Sequence, residues 1–490
     1  MPSKAKMQRE VPNKELILFL MSTFFFTNMQ GMVGNYRQAY LINVLHLAST
    51  QVSIVNAVTT AVSFGLSFFY AMVIDRAPKP GKGKFIPYVK MSAVPVGVLT
   101  VLMFVSPQLP PSLLVAYLCT VAVLHAAALY FGNTVNSIGI VLCENQAERD
   151  KILTFRGIAN AIANSAPLVV VLVIGLFGSV KWLSTEERRF VFAAVLCGAV
   201  GTLTMLLGVR AVRERVAYSS KKENPLLGFR DILTNPYAML ILLSDFIQNL
   251  RGVGGYMGIF LAAALLGDVS KYILFGLPTG IGTFVGMLLV NLLLKKWNSK
   301  TIFMLSGVYS LVANTGAFLA GLQSFRNPEN GVWQIVFFAF LFLIGIQYGA
   351  TNLLPMMFQA DILEDLELKT HKRLEASMAF IISIGSTLGT VVTGIASPRV
   401  LYGEKSFIQY LPSVDTLVDG VMTTVYQTQS YDTKVRLLLV YTIFHGAMIL
   451  LACAPFLFYR LTGVRKEEIH QKVLAYRESL EAAEKDEANI

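Results

Sequence analysis

Long apolar runs alternate with short polar breaks along the whole chain. Twelve runs stand out, at roughly 15–45, 51–74, 86–106, 111–142, 156–178, 189–212, 236–266, 270–294, 300–322, 332–360, 375–402 and 435–461. Each reaches the ~20 apolar residues that a bilayer-crossing helix requires. Two breaks mix acids with bases: ENQAERDKILTFR at 144–156 and DILEDLELKTHKRLE at 361–375. They sit at matching places in the two halves of the pattern, which predicts a duplicated membrane protein with a pathway between its halves. The expected organisation is all-α, with six spans in 1–212, a solvated linker at 213–235 and six more spans in 236–462. A tail follows at 463–490, where Ile469, Val473, Tyr476 and Leu480 recur at helical spacing among charges and predict an amphipathic helix on the protein or lipid surface. The longest connection on the outer side, about 403–434, is polar and reads as a lid-like loop.

Composition agrees and adds an orientation. Of 490 residues 54% are hydrophobic and 14% charged, where an ordinary soluble domain carries about 25% charged residues. The net charge of +11 could mean nucleic acid, but 30 of the 41 Lys and Arg fall in the segments on one side of the predicted spans. That asymmetry places both termini in the cytosol of a plasma-membrane protein and points away from nucleic acid. Cys119, Cys143, Cys197 and Cys453 lie in or beside apolar runs with no metal or pairing spacing. The first run continues well past a signal-peptide core and reads as a retained helix. No paired-His metal motif, nucleophile elbow or phosphate-cradling loop occurs, so neither an enzyme nor a cofactor is expected, and the chain is expected to act as a monomer.

Within the spans, the polar residues are the candidates. Arg156, Asn160 and Asn164 are spaced i, i+4, i+8 and share one face of the fifth span. Asn28 and Asn35 share a face of the first span, with Gln30 pointing elsewhere; Gln347, Tyr348 and Asn352 fall on the tenth. His125 and His445 have no second ligand in view and read as helix-contact residues. Asp245 lies nine residues after Pro236, about 13.5 Å into the seventh span. A carboxylate at that depth is expected to exchange a proton, because desolvation favours its neutral form. A pair with Arg251, six residues on, would need the helix to break at the following glycine run, which is expected to let it bend or unwind. Asp75 and Arg76, before a basic turn ending GKFIP, together with Glu148, Arg149, Asp361 and Arg373, are the expected cytosolic gate.

These motifs together resemble the glycoside–pentoside–hexuronide:cation symporter family of the major facilitator superfamily. The resemblance rests on Asp75, Arg76, Gly83, Lys84, Phe85 and Pro87 after the second span, and on Glu148, Arg149, Leu153 and Arg156 after the fourth. It rests also on the acid- and base-rich run from Asp361 to Glu375 after the tenth. It implies the major facilitator fold, alternating access and a small polar solute, first of all a sugar in that family's range, with a lipid or organic anion, or uncoupled facilitation, as alternatives. A membrane sensor or enzyme is a more distant one. The family's substrate-binding positions fall on Asn28 (or Thr27), Asn133, Asn136 (or Ser137), Arg156 and Asn352, with Gln30 and Asn160 beside them. Its two cation-site carboxylates fall on Ser63 and Ser67, and its nearby lysine on Thr387. Sodium binding draws on several oxygens, usually including carboxylates, so these neutral replacements imply proton rather than sodium coupling through Asp245.

Overall fold

The computed structural model describes residues 10–74, 83, 85–105, 107–143, 146–178, 180–215, 229–370, 374–473 and 475–476. Helices α1 (Asn13–Ala39), α2 (Ser49–Ile74), α3 (Ile86–Leu102), α4 (Pro111–Gly132) and α5 (Thr134–Val141) come first, followed by α6 (Gln146–Leu176) and α7 (Glu186–Ala211). The second half has α8 (Phe229–Leu233), α9 (Pro236–Leu250), α10 (Gly252–Leu266), α11 (Ile273–Leu293), α12 (Ser299–Arg326), α13 (Val332–Thr370), α14 (Glu375–Leu401), α15 (Tyr431–Leu439) and α16 (His445–Cys453). Ten spans among the described residues are long and apolar enough to cross a bilayer, and α2 with the shorter α3 supplies two more. In a medium without water every backbone amide must be satisfied within its own segment, which is why apolar runs of this length become helices.

In the first half α1 packs on α6 and α7, and α3 lies between α4 and α7. In the second, α13 packs on α11 and α12, while α9 packs on α14 and α16. The halves meet through α2 against α14 and α6 against α11, the reciprocal arrangement a two-fold repeat produces. The tightest helix pair is α11 on α13. Gly282 and Gly286 face Gly345 and Gly349, and a Cβ added at Gly286 would lie 2.1 Å from the Ile346 carbonyl oxygen. These are two interleaved small-xxx-small motifs, which bring backbones together where lipid offers no hydrophobic drive for association. Gly286→Val is therefore expected to abolish recovery of monodisperse protein, read by fluorescence-detected size exclusion. Gly280, which meets nothing within 4 Å, is the control that should tolerate substitution.

Several expectations need correction. The charged run from Asp361 continues as helix to Thr370, because Ile362 and Leu366 are buried at i, i+4 and prolong the core face begun at Phe358. At 39 residues α13 is about 58 Å long against an apolar thickness of about 30 Å, so this end protrudes. Likewise α6 begins at Gln146, ten residues before the expected start. The fourth span is interrupted at Asn133 and the seventh at Arg251. The polar 403–434 connection is not simply a loop. It holds an antiparallel hairpin, β1 (Val414–Val418) and β2 (Val421–Val425), set on an otherwise helical fold. Asp419 and Gly420 both have positive φ, 49° and 77°, the two-residue turn that Asp-Gly favours. The tail is helical over 464–473 and docks on protein: Val473 is buried, Lys466 Nζ lies 2.7 Å from Asp361 Oδ1, and His470 Nδ1 lies 3.0 Å from Glu364 Oε1.

Candidate substrate pathway

Helix α1 assigns its faces by contact. Gly31 and Asn35 turn toward α6, where the Asn35 amide donates to the Asn164 carbonyl at 3.2 Å and a Cβ at Gly31 would meet that same oxygen. Ser22, Met29 and Tyr36 meet α7. What is left is the stripe Gln30, Gly34, Arg37 and Gln38. Gly34 has nothing within 4 Å of its would-be Cβ, and Gln38 at the top of the stripe accepts from Tyr256 OH of α10 at 3.0 Å. This stripe faces the space between the halves. Asn28 is 3% exposed and turned into the protein, so of the two expected candidates on this helix Gln30 has the more open position.

The broken seventh span offers the matching stripe. Its glycines let it run close to neighbours: Gly252 approaches Thr393 of α14, and Gly254 approaches Val440 and His445. Gly255, like Gly34, meets nothing. At the break the Arg251 guanidinium stacks 4.9 Å over Tyr348, whose hydroxyl lies 2.6 Å from His445 Nε2. Asp245, one turn and a half earlier, is turned to α14. Ser386 Oγ donates to its Oδ2, and Asn249 Nδ2 lies 3.5 Å away. Among the described residues Asp245 makes no ion pair, so the break does not produce the Asp245–Arg251 pair it would permit.

Near the other end of the pathway Arg156 of α6 donates through Nη1 to the Asn136 carbonyl, and Asn160 Nδ2 donates to Asn136 Oδ1 at 2.9 Å. Asn136 Nδ2 in turn donates to Asn133 Oδ1 at 2.9 Å, so four of the expected residues form one network across α5 and α6. Asn160 Oδ1 is buried with no partner among the described residues. Asn352 is exposed and Thr387 half-buried; neither joins this network among the described residues. The serines at the expected cation site satisfy their own helix, Ser63 Oγ donating to the Thr59 carbonyl and Ser67 Oγ to that of Phe64. His125 lies 3.2 Å from Thr100 Oγ1.

The hydrogen bonds between described residues of the two halves all lie toward the face that carries the β-hairpin. Arg189 Nη1 lies 3.1 Å from Asp268 Oδ2, and Tyr426 OH donates to Asp268 Oδ1 at 3.3 Å; burial, then the Glu186 and Asp268 carboxylates, push this phenol well above its ordinary pKa. The buried Glu186 accepts from Ser413 Oγ at 3.1 Å, and its backbone N–H donates to Thr424 Oγ1 of β2 at 2.7 Å. Ser53 and Asn56 of α2 donate to the carbonyls of Ile395 and Gly394. On the opposite face, which carries the start of α1 and the end of the last span, the pairs shown between described residues stay within one half and its adjoining linker or tail. Arg215 binds Glu15 at 2.7 Å, Glu214 accepts from the N–H groups of Phe85 and Ile86, Glu148 accepts from Glu10 and Val11, and Asp361 binds Lys466. The expected gate is thus divided. Asp75, Arg76 and Arg373 lie outside the described residues, and the bonds shown by Glu148 and Asp361 stay inside one half.

Comparison with known proteins agrees with this architecture. The family described as MFS/sugar transport protein matches residues 18–463. An uncharacterized symporter of Bacillus subtilis, YjmB, is 25% identical over 70% of this chain and 76% of its own length. The putative glycoside/cation symporter YagG of Escherichia coli is 21% identical over 94% of this chain and 91% of its own. Among solved structures, the nucleoside transporter NupG superposes with a TM-score of 0.62 at 13% identity, covering 91% of this chain and 100% of that one. An inward-facing, unoccupied bacterial homologue of the human lysosomal transporter Spinster gives 0.60 at 17%, covering 92% and 98%.

Proposed function

Since this chain belongs to the MFS/sugar transport family, we propose that it is a secondary active symporter that carries a sugar or sugar-like solute with a proton by alternating access. The observation that carries this reading is where the halves are joined: among the described residues the bonds between them gather toward the hairpin face, with Gln38 of α1 and Tyr256 of α10 meeting below it. Rocking the halves about a site at that level exposes it to each side in turn. The symporter relatives support a solute moved with a cation. With the termini in the cytosol of the plasma membrane, as the Lys and Arg asymmetry indicates, the closed hairpin face is the external one.

The Arg156–Asn136–Asn160–Asn133 network is the solute-binding floor in this reading, and Arg156 is its charged member. Arg156→Ala is expected to weaken solute binding by about tenfold or more, about 1.4 kcal/mol. Counterflow of labelled solute in proteoliposomes tests transport itself, with titration of the purified variant giving the affinity. A folded variant of unchanged affinity assigns Arg156 to helix packing alone. Absence of solute-dependent counterflow across sugars, sugar acids and nucleosides removes the transport reading.

A further inference from the structure

Glu186 opens α7 at the hairpin face and is buried at the seam between the halves. Groups from both halves surround it. From its own half come Arg189, one turn on, and Asn43, whose Nδ2 lies 3.5 Å from Glu186 Oε1. From the other half Ser413 donates to Glu186 Oε2 at 3.1 Å, while Asp268, Tyr410 and Tyr426 are near enough to act on it electrostatically. The charged and titratable groups facing this carboxyl are therefore one arginine, one further acid and two phenols.

Two acids thus share one cation, and Asp268 has the first claim on it. Its Oδ2 lies 3.1 Å from Arg189 Nη1, and its Oδ1 accepts from the Ser270 N–H at 2.7 Å and from Tyr426 OH at 3.3 Å. Glu186 meets only neutral donors among the described residues. Beside it Asn43 Oδ1 and Arg189 Nε, on side chains 3% and 7% exposed, have no hydrogen-bond partner among the described residues. An ionised Glu186 would be a buried negative charge with no cation in contact. A proton removes that charge, and the O–H it creates is a donor that the Asn43 amide, turned over, can accept. These surroundings last only while the face is shut. Asp268, Tyr410, Ser413 and Tyr426 belong to the second half, so opening withdraws them and leaves Glu186 in water at the start of α7. There a glutamate titrates near ~4.3, and the helix dipole favours its anion.

We propose that Glu186 is a proton-binding site linked to closure of the hairpin face: one proton joins its carboxyl as the face shuts and returns to the same side as it opens. This goes beyond the transport reading and does not depend on the solute. It is distinct from coupling through Asp245, because a proton held on Glu186 does not cross the membrane. The closed state binds the extra proton, so acidity favours closure. Closure weakens as pH rises, by up to about tenfold in the closed-to-open ratio per pH unit.

Spin labels at Leu109 and Glu329, exposed on this face in opposite halves, measure closure of the full-length protein in nanodiscs. The window runs from about pH 5 to about pH 9, above the range of a solvated glutamate. The closed-to-open ratio of the wild type is expected to fall about fivefold or more as pH rises across it. Glu186→Gln keeps the shape and an acceptor for Ser413 but is neutral at every pH. Its closed fraction should stay high, with the ratio changing by less than about twofold. Asp245→Asn should retain the wild-type dependence. A flat wild-type profile overturns the proposal whether or not any variant folds. So does a Glu186→Gln profile that tracks the wild type, or a dependence lost in Asp245→Asn, which would move the proton to the seventh span. Absence of counterflow with the dependence intact would overturn the transport reading alone.

Discussion

Asp245→Asn is expected to abolish solute accumulation driven by a pH gradient while leaving solute exchange intact. The acid sits about 13.5 Å into the seventh span, near the middle of an apolar layer about 30 Å thick. Among the described residues it makes no ion pair: Ser386 donates to it, Asn249 lies beside it, and Arg251, near enough to act on it electrostatically, stacks on Tyr348. A carboxylate there with no cation in contact is neutralised most cheaply by a proton, and its access to each side changes as the halves rock. Asparagine keeps the shape and a hydrogen-bonding partner for Ser386 but cannot take up or release a proton, so coupling is lost and the rocking is not. Sodium should not stimulate wild-type uptake, because Ser63 and Ser67 donate to carbonyls of their own helix and carry no charge. Proteoliposomes with imposed pH or sodium gradients decide it. Sodium-stimulated uptake by the wild type, or full concentrative uptake by the variant, would leave another ion site or uncoupled passage.

Asp268→Asn is expected to open the hairpin face. Arg189 is 7% exposed and bonds to Asp268 across the halves. Asp268 is only half-buried and the Glu186 carboxylate also attracts Arg189, so removing Asp268 costs less than the loss of a partner in a fully buried pair, on the order of 2–3 kcal/mol. Two transporter states differ by only a few kcal/mol, so a penalty of that size confined to the closed-hairpin state inverts their populations. Spin labels at Leu109 and Glu329, exposed sites on the hairpin face in opposite halves, report the separation, in a background without the half-buried Cys119. The distance distribution should lengthen in the variant, and exchange across the membrane should slow because one state is over-populated. Distances that match wild type would reduce the Arg189–Asp268 pair to a packing contact.

Much of this molecule is determined by sequence alone. Apolar runs of about 20 residues become membrane helices because the bilayer leaves backbone amides no other partner, so class, span number and the matched halves follow without coordinates. The family follows from three charged motifs at fixed places between those runs, and the polar partners Arg156 and Asn160 from their spacing. Periodicity also shows that Asn28 and Asn35 share a face while Gln30 does not. It does not say which face looks into the interface, because that depends on where α6 and α7 pack. Contacts place Asn35 against Asn164, bury Asn28, and leave the Gln30–Gly34–Arg37 stripe open. Two signals in the sequence gain their meaning only beside the structure: the Asp419–Gly420 turn between alternating residues, and the paired small-xxx-small runs at Gly282 and Gly345. That Arg37 and Arg251 form no ion pair with a carboxylate among the described residues is legible in no window of sequence. Whether a charge has a partner depends on side chains hundreds of residues apart, and only the packing of one half against the other brings them together or keeps them apart.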